Sequence, residues 1–126
     1  MGEGWISLHR KIRRSPEWYA EPLTKAQAWI DLLLMANHTQ KMFYIRGNAV
    51  HVQRGQIARS ERSISENWGW SRNKTRRFLK SLKAKQQIDH RKSKLINIIT
   101  IINYDKYQQN ETTDDTTERP QKDLNN

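Results

Sequence analysis

Hydrophobic positions along this chain change their spacing several times, and each change marks an element. From residue 24 the spacing is helical: Ala26, Trp29, Ile30, Leu33 and Leu34 fall at i, i+3, i+4, i+7 and i+8, and Leu32 and Met35 widen the stripe. Thr24 and Gln27 supply a capping box, each side chain satisfying a free N–H at the helix start. The pattern predicts a helix that ends near Asn37 and His38 and is buried on more than one side, or shares a face with a partner chain. Next, MFYIRGNAVHVQRG holds two β-rich runs, 42–45 and 49–53, around Arg46-Gly47-Asn48. Gly and Asn tolerate positive φ, so this segment predicts a hairpin.

Helical spacing then returns twice. Ser60 is a good N-cap for a helix over 61–68 with Ile64 and Trp68 inward, and Gly69 suits the left-handed position that ends a helix. Ser71 can cap a second helix over 72–87. Two helices joined by a tight Gly-containing turn make a helix-turn-helix pattern. Residues 88–90 and 95–103 read as strands joined by the basic turn 91–94. The apolar residues of LINIITIINY do not alternate cleanly, which predicts a strand covered on both faces. Residues 5–19 are less patterned, with a short helix expected to start at Ser15-Pro16. The order helix, hairpin, helix, turn, helix, hairpin is an α+β arrangement, that of a winged helix-turn-helix with an additional β-hairpin. It occupies residues 1–107. Residues 108–126, rich in Thr, Asp, Asn and Gln, lack the apolar surface to offset ordering entropy and read as a disordered tail or linker.

Charge sharpens the picture. The chain carries a formal net +10 at pH 7 over 126 residues. Residues 71–94, SRNKTRRFLKSLKAKQQIDHRKSK, hold ten Lys or Arg against the single acid Asp89. The remainder holds thirteen bases and twelve acids, so nearly all the excess lies in one segment. A single-signed stripe is the footprint of a polyanion binder. At 100° per residue, Thr75, Phe78, Leu79 and Leu82 gather on one side of the 72–87 helix. Asn73, Arg76, Arg77 and Lys80 lie opposite, with Gln87 a turn further. Arg and Asn can grip guanine and adenine bidentately, and a helix fits the B-form major groove but not the A-form one. Because the N-terminal turns of such a helix reach the bases, Asn73, Arg76 and Arg77 are assigned to base edges. Arg72, Lys74, Lys80 and Lys83 are assigned to phosphate, with the capping Ser71 among the site residues. Arg91, Lys92 and Lys94 would lie along the backbone or in the minor groove.

Other chemistry is weakly represented. There is no cysteine, hence no disulfide, thiolate zinc site or thiol nucleophile. The longest apolar run, AWIDLLLMA, is broken by Asp31 and is too short for a membrane span, and the N-terminus lacks an apolar signal core. A soluble intracellular, nucleoid-associated protein is expected. His9, His38, His51 and His90 share no metal-ligand spacing, Asp114-Asp115 sits in the polar tail, and Gly47 and Gly55 read as turn residues rather than a phosphate loop. No catalytic residue, metal or cofactor is expected. The five tryptophans could stack on unpaired bases, but mostly occupy helix-core positions, with Trp70 in the turn the least determined.

Several stretches together resemble the N-terminal domain of phage and prophage replication initiators, also called replisome organisers, which include DnaD-like primosomal proteins. They are GWISLHRKIRRSPEW, AWIDLLLMANH, RGQIARSERSISENWGWSRNKTRRFLKSL and IITIINYDKYQ, and they span residues 4–109. The resemblance implies a winged-helix module for double-stranded DNA, with its recognition helix at 71–87 and its wing at 91–94. It also implies origin binding, oligomerisation through this domain, and contact with a replicative helicase or its loader. Family members usually continue into a further C-terminal domain, where this sequence continues into the polar tail, so helicase recruitment is the least supported of these expectations. A winged-helix transcriptional regulator and a protein-interaction scaffold are the rival readings. The Leu32/Met35 surface and the hairpin at 42–53 are the candidate dimer interfaces.

Overall fold

The computed structural model describes residues 3–92 and 96–108. These form a mixed α+β structure with four α-helices and two small antiparallel sheets among the described residues. The chain divides into two compact units, Arg10–Ile102 and a second made of Met1–His9 with Asn103–Asn126. The first unit begins with a 3₁₀ turn, Arg10–Arg14, followed by α1 (Lys25–Met35), β1 (Lys41–Ile45), β2 (Asn48–Val52), β3 (Gln56–Ala58), α2 (Glu61–Trp68), α3 (Arg72–Ala84), β4 (Ile88–Lys92) and β5 (Asn97–Ile101). The second unit contains α4 (Tyr104–Gln108) and the irregular residues 3–9, whose Trp5, Ile6 and Leu8 are exposed. The proposed tail, bar Gln108, lies outside the described residues.

Local rules of helix ending act as the sequence predicts. Thr24 Oγ1 accepts from Gln27 N while Gln27 Oε1 accepts from Thr24 N, completing the capping box. Ser60 accepts from Ser63 N, and Ser71 from Lys74 N. Gly69 ends α2 at φ 72°. A Cβ there would lie 3.1 Å from Pro22 Cα, so both backbone angle and space demand glycine.

The phase of α1 differs from the predicted stripe. Ala28, Asp31, Leu32 and Leu34 are buried, whereas Ala26 and Ile30 are exposed and Trp29 and Leu33 half-buried. The reason is Asp31. Its Oδ1 accepts from Arg13 Nε at 3.0 Å and Trp18 Nε1 at 2.9 Å, and its Oδ2 accepts from Tyr19 OH at 2.8 Å and Trp68 Nε1 at 2.9 Å. A carboxylate supplied with that many donors can occupy the centre of the core, so the buried face is the one that includes the acid. Leu32 is fully buried and therefore drops out as a surface for a partner. The 3₁₀ turn also lies earlier than the Ser15-Pro16 helix start expected. There, Arg10 Nε donates to Leu34 O at 3.1 Å and Arg13 reaches Asp31, so arginines rather than proline fix this segment.

β1 and β2 pair through a two-residue turn, Arg46-Gly47, with φ of 51° and 79°. Positive φ at both positions is the hairpin geometry whose twist suits the strands. Arg46, rather than Asn48, accompanies Gly47 there. Asn48 begins β2 and donates from Nδ2 to Arg46 O at 3.2 Å. The second sheet has the order β3-β5-β4, with Ile57 opposite Ile99 and Ile88 opposite Ile101. β3, three residues long, is an element the hydrophobic pattern does not announce. It makes β5 the central strand. Ile99 and Ile101 of β5 are buried while Ile98 and Thr100 are only half-covered, so one face is sealed rather than both.

Candidate nucleic-acid interface

The placement of α3 follows from its sequence. Thr75, Leu79 and Leu82 are buried and Phe78 is half-buried, on the side the helical spacing predicts. Phe78 meets Trp68 and Trp70 edge-on at 5.9 and 5.4 Å, and Trp70 Nε1 donates to Leu23 O at 2.8 Å. Ser65 Oγ and Thr75 Oγ1 form a buried 2.8 Å hydrogen bond that fixes α2 against α3. Fully apolar burial would allow the helices to slide; this polar pair sets their register. α3 ends at Ala84 rather than 87, because Lys85 leaves helical geometry and Gln86 takes φ 62°.

With one side seated, the opposite side faces outward. Ser71, Arg72, Asn73, Arg77, Lys80 and Lys83 are all exposed. Among the described residues no carboxylate pairs with Arg72, Arg77, Lys80 or Lys83. Lys74 instead folds back, its Nζ 4.3 Å from the centre of the Trp70 ring. Lys83 Nζ reaches only His90 O, at 3.5 Å.

Arg76 departs from the expected free face. Its Nε and Nη2 both donate to Glu61 Oε1, at 3.2 and 2.9 Å, and its side chain is 43% exposed. The predicted base contact is thus held by a carboxylate from the first turn of α2, which no inspection of α3 alone could reveal. Glu61 is nearly buried and also meets Lys92 Nζ at 3.1 Å through Oε2. One acid therefore ties α2, α3 and β4 together. Burial by itself would raise the Glu61 carboxyl, but hydrogen bonds from Arg76 and Lys92, with their charge, outweigh it and hold the group below the ordinary carboxylate range. The same hydrogen bond and charge raise Arg76 above its ordinary value.

The basic turn also differs from expectation. Arg91 and Lys92 belong to β4, because the ladder to β5 continues through Arg91 opposite Ile98 and Lys92 opposite Asn97. Both are exposed, Arg91 with Asp89 Oδ2 at 3.8 Å. Lys94, with residues 93 and 95, lies outside the described residues. Within β4, His90 has a buried Nε2 without a hydrogen-bond partner. Burial first, then the charge of Lys92 and Lys83, pushes its pKa down against the opposing pull of Glu61 and Asp89. Of the tryptophans, Trp68 and Trp70 are buried, Trp18 and Trp29 half-buried and Trp5 exposed, so core packing accounts for only some of them.

The arrangement offers cations and an amide on the outer side of one helix, suited to binding an extended polyanion by charge and hydrogen bonds. Among the described residues no group of three or more His, Asp or Glu could hold a metal, and no helix is long and apolar enough to cross a membrane. Comparison with protein-family models, with curated proteins and with solved structures yields no match to this chain.

Proposed function

We propose that the chain is a winged helix-turn-helix protein that binds double-stranded DNA at specific sequences and acts in replication initiation of the phage or prophage type. The observation that carries this reading is the outer side of α3. Asn73, Arg77 and Lys80 stand exposed there, flanked by Arg72 and Lys83, on a helix locked to its support by Thr75, Leu79 and Leu82. α2, the Gly69 turn and α3 act as the helix-turn-helix, and β4 and β5 as the arms of the wing. Docking is by counterion release from phosphates together with base contacts from the first turns of α3. Arg76, braced by Glu61, acts as a fixed charge at the edge of this surface rather than as a free reader of bases. The resemblance to replisome organisers favours an origin over a promoter as the target, and with it a helicase or loader as an eventual partner.

Self-association has its own support. β1 exposes Met42, Phe43 and Tyr44 on a two-stranded hairpin, the last at 75%. Aromatic residues on an open strand favour contact with a second copy.

Selection from a pool of random duplexes tests the reading. Enrichment of a defined sequence, with affinity falling steeply as salt rises, is expected. Absence of any enriched sequence, with binding insensitive to salt, would overturn it in favour of a protein-interaction scaffold.

A further inference from the structure

Around β4 and the first turn of α2, two buried polar atoms lack well-formed hydrogen bonds, His90 Nε2 and Glu61 Oε2. Glu61 Oε1 takes both hydrogen bonds from Arg76, whereas Oε2 meets Lys92 Nζ at 3.1 Å in poor alignment for a hydrogen bond. His90 and Lys92 stand two residues apart on β4, so their side chains share the strand face on which Ile88 is buried. The Lys92 side chain is 54% exposed and that of Glu61 5%, so the lysine can turn to water and the acid cannot. The charges acting on His90 are Glu61 from α2, Lys83 from α3, and Asp89 and Lys92 of β4 itself, with Arg76 behind Glu61. On β5, residues 98–100 beside and opposite His90 carry no charge. We propose that these groups form an acid-released latch on the wing: at neutral pH the Glu61 carboxylate restrains Lys92, and in mild acid the protonated His90 takes over that carboxylate and frees Lys92 for a DNA phosphate. The latch rests on the duplex reading of α3 and its wing.

The direction of the exchange follows from relative costs. A neutral imidazole tolerates an unpaired ring nitrogen at modest cost. The imidazolium places a charged N–H there, and a buried charged donor without an acceptor is far costlier. Burial and the repulsion of Lys92 and Lys83 already hold His90 below the ordinary histidine range, so charging it requires acid. Glu61 Oε2 is the buried acceptor with capacity to spare, since a carboxylate oxygen has two lone pairs. Giving up Lys92 costs little, because an ion pair so open to water contributes little. Asp89 is the competing acceptor, but it projects from the opposite face of β4, toward Arg91 at 3.8 Å. Arg76 keeps Oε1 throughout, so α3 stays braced while the wing cation is released. A phosphate on Lys92 and a proton on His90 favour the same state, so each strengthens the binding of the other.

Duplex affinity of the full chain, followed from about pH 7.5 to 5 at fixed ionic strength, tests the latch in wild type, His90→Gln and Lys92→Gln. Wild type should tighten in acid by about three- to tenfold at about 0.1 M salt, the worth of one added phosphate contact, and its salt slope should steepen by about 0.9. His90→Gln keeps His9, His38 and His51 and so subtracts their general charge; it should lack the gain. Lys92→Gln should match wild type closely at neutral pH and lack the gain in acid. Should His90→Gln fail to fold, Lys92→Gln, altered at a half-exposed side chain, decides alone. An equal gain in wild type and either variant, or weaker binding of wild type in acid, would overturn the latch and leave the duplex reading standing. A measurement on the protein alone covers the opposite case, in which no duplex binds at any pH. The Lys92 side-chain NMR signal should titrate at the midpoint of the His90 imidazole in wild type and lose that step in His90→Gln. A Lys92 signal indifferent to His90 would overturn the latch whether or not DNA binds.

Discussion

Asp31 shows how much one residue can decide. It interrupts the longest apolar run, and by pattern alone it belongs on the wet side of its helix. In the fold it is fully buried and collects donors from Arg13, Trp18, Tyr19 and Trp68. Those donors come from segments up to 37 residues away, so no local window could signal that the acid would be satisfied. Removing it leaves a part-buried guanidinium and two indole N–H groups without their acceptor. Asp31→Ala is expected to destabilise the fold by about 3–5 kcal/mol, read from denaturant unfolding. Tyr19 carries a pH signature of the same cluster. Burial, then its hydrogen bond and proximity to the Asp31 carboxylate, pushes the phenol up to about 12. A raised folded pKa means the unfolded chain ionises first as pH rises. The stabilising contribution is therefore complete below pH 10 and lost between 10 and about 12. Comparing melting against pH for wild type and Tyr19→Phe checks this. The wild type should lose stability more steeply over that window, and parallel curves would count against the assignment.

At the scale of elements, what sequence reveals is what neighbouring residues settle between themselves. The capping box of α1, the serine caps of α2 and α3, and the Gly69 stop were all legible because each involves residues within a turn of one another. Gly69→Ala should cost about 1–2 kcal/mol for the left-handed backbone, with the approach to Pro22 adding to it. An unchanged unfolding midpoint would contradict that. β3 was not legible, since three residues are too few to establish a period and its pairing with β5 spans some forty residues. The Glu61 tie was hidden for the same reason, with α3's wheel showing where Arg76 points but not what α2 brings to it. Glu61→Gln removes the charge that Arg76 and Lys92 share. It should lower the melting temperature at neutral pH and, by freeing two cations beside α3, tighten duplex binding and steepen its salt dependence. Because the Glu61 pKa is depressed, its contribution is present above the ordinary carboxylate range and fades as pH falls through the lowered value. The mutant and wild-type melting curves should therefore converge in acid.

Over the whole molecule, the excess positive charge anticipated from residues 71–94 emerges as a surface with structure rather than a uniform coat. Arg72, Asn73, Arg77 and Lys80 stand free of carboxylates on the outer side of α3, Arg76 and Lys92 are held by Glu61, and Lys74 folds back over the Trp70 ring. Sequence located the charge correctly but could not sort it, because sorting depends on contacts between elements. The account rests on Arg77 meeting duplex DNA. The most direct check is fluorescence anisotropy of wild type and Arg77→Ala on a selected duplex across a range of salt. We predict a log–log slope of about −0.9 per phosphate contacted. The variant should lose about 1–3 kcal/mol of binding with its unfolding midpoint unchanged. Equal affinity for the two proteins, or a flat salt dependence, would contradict the account.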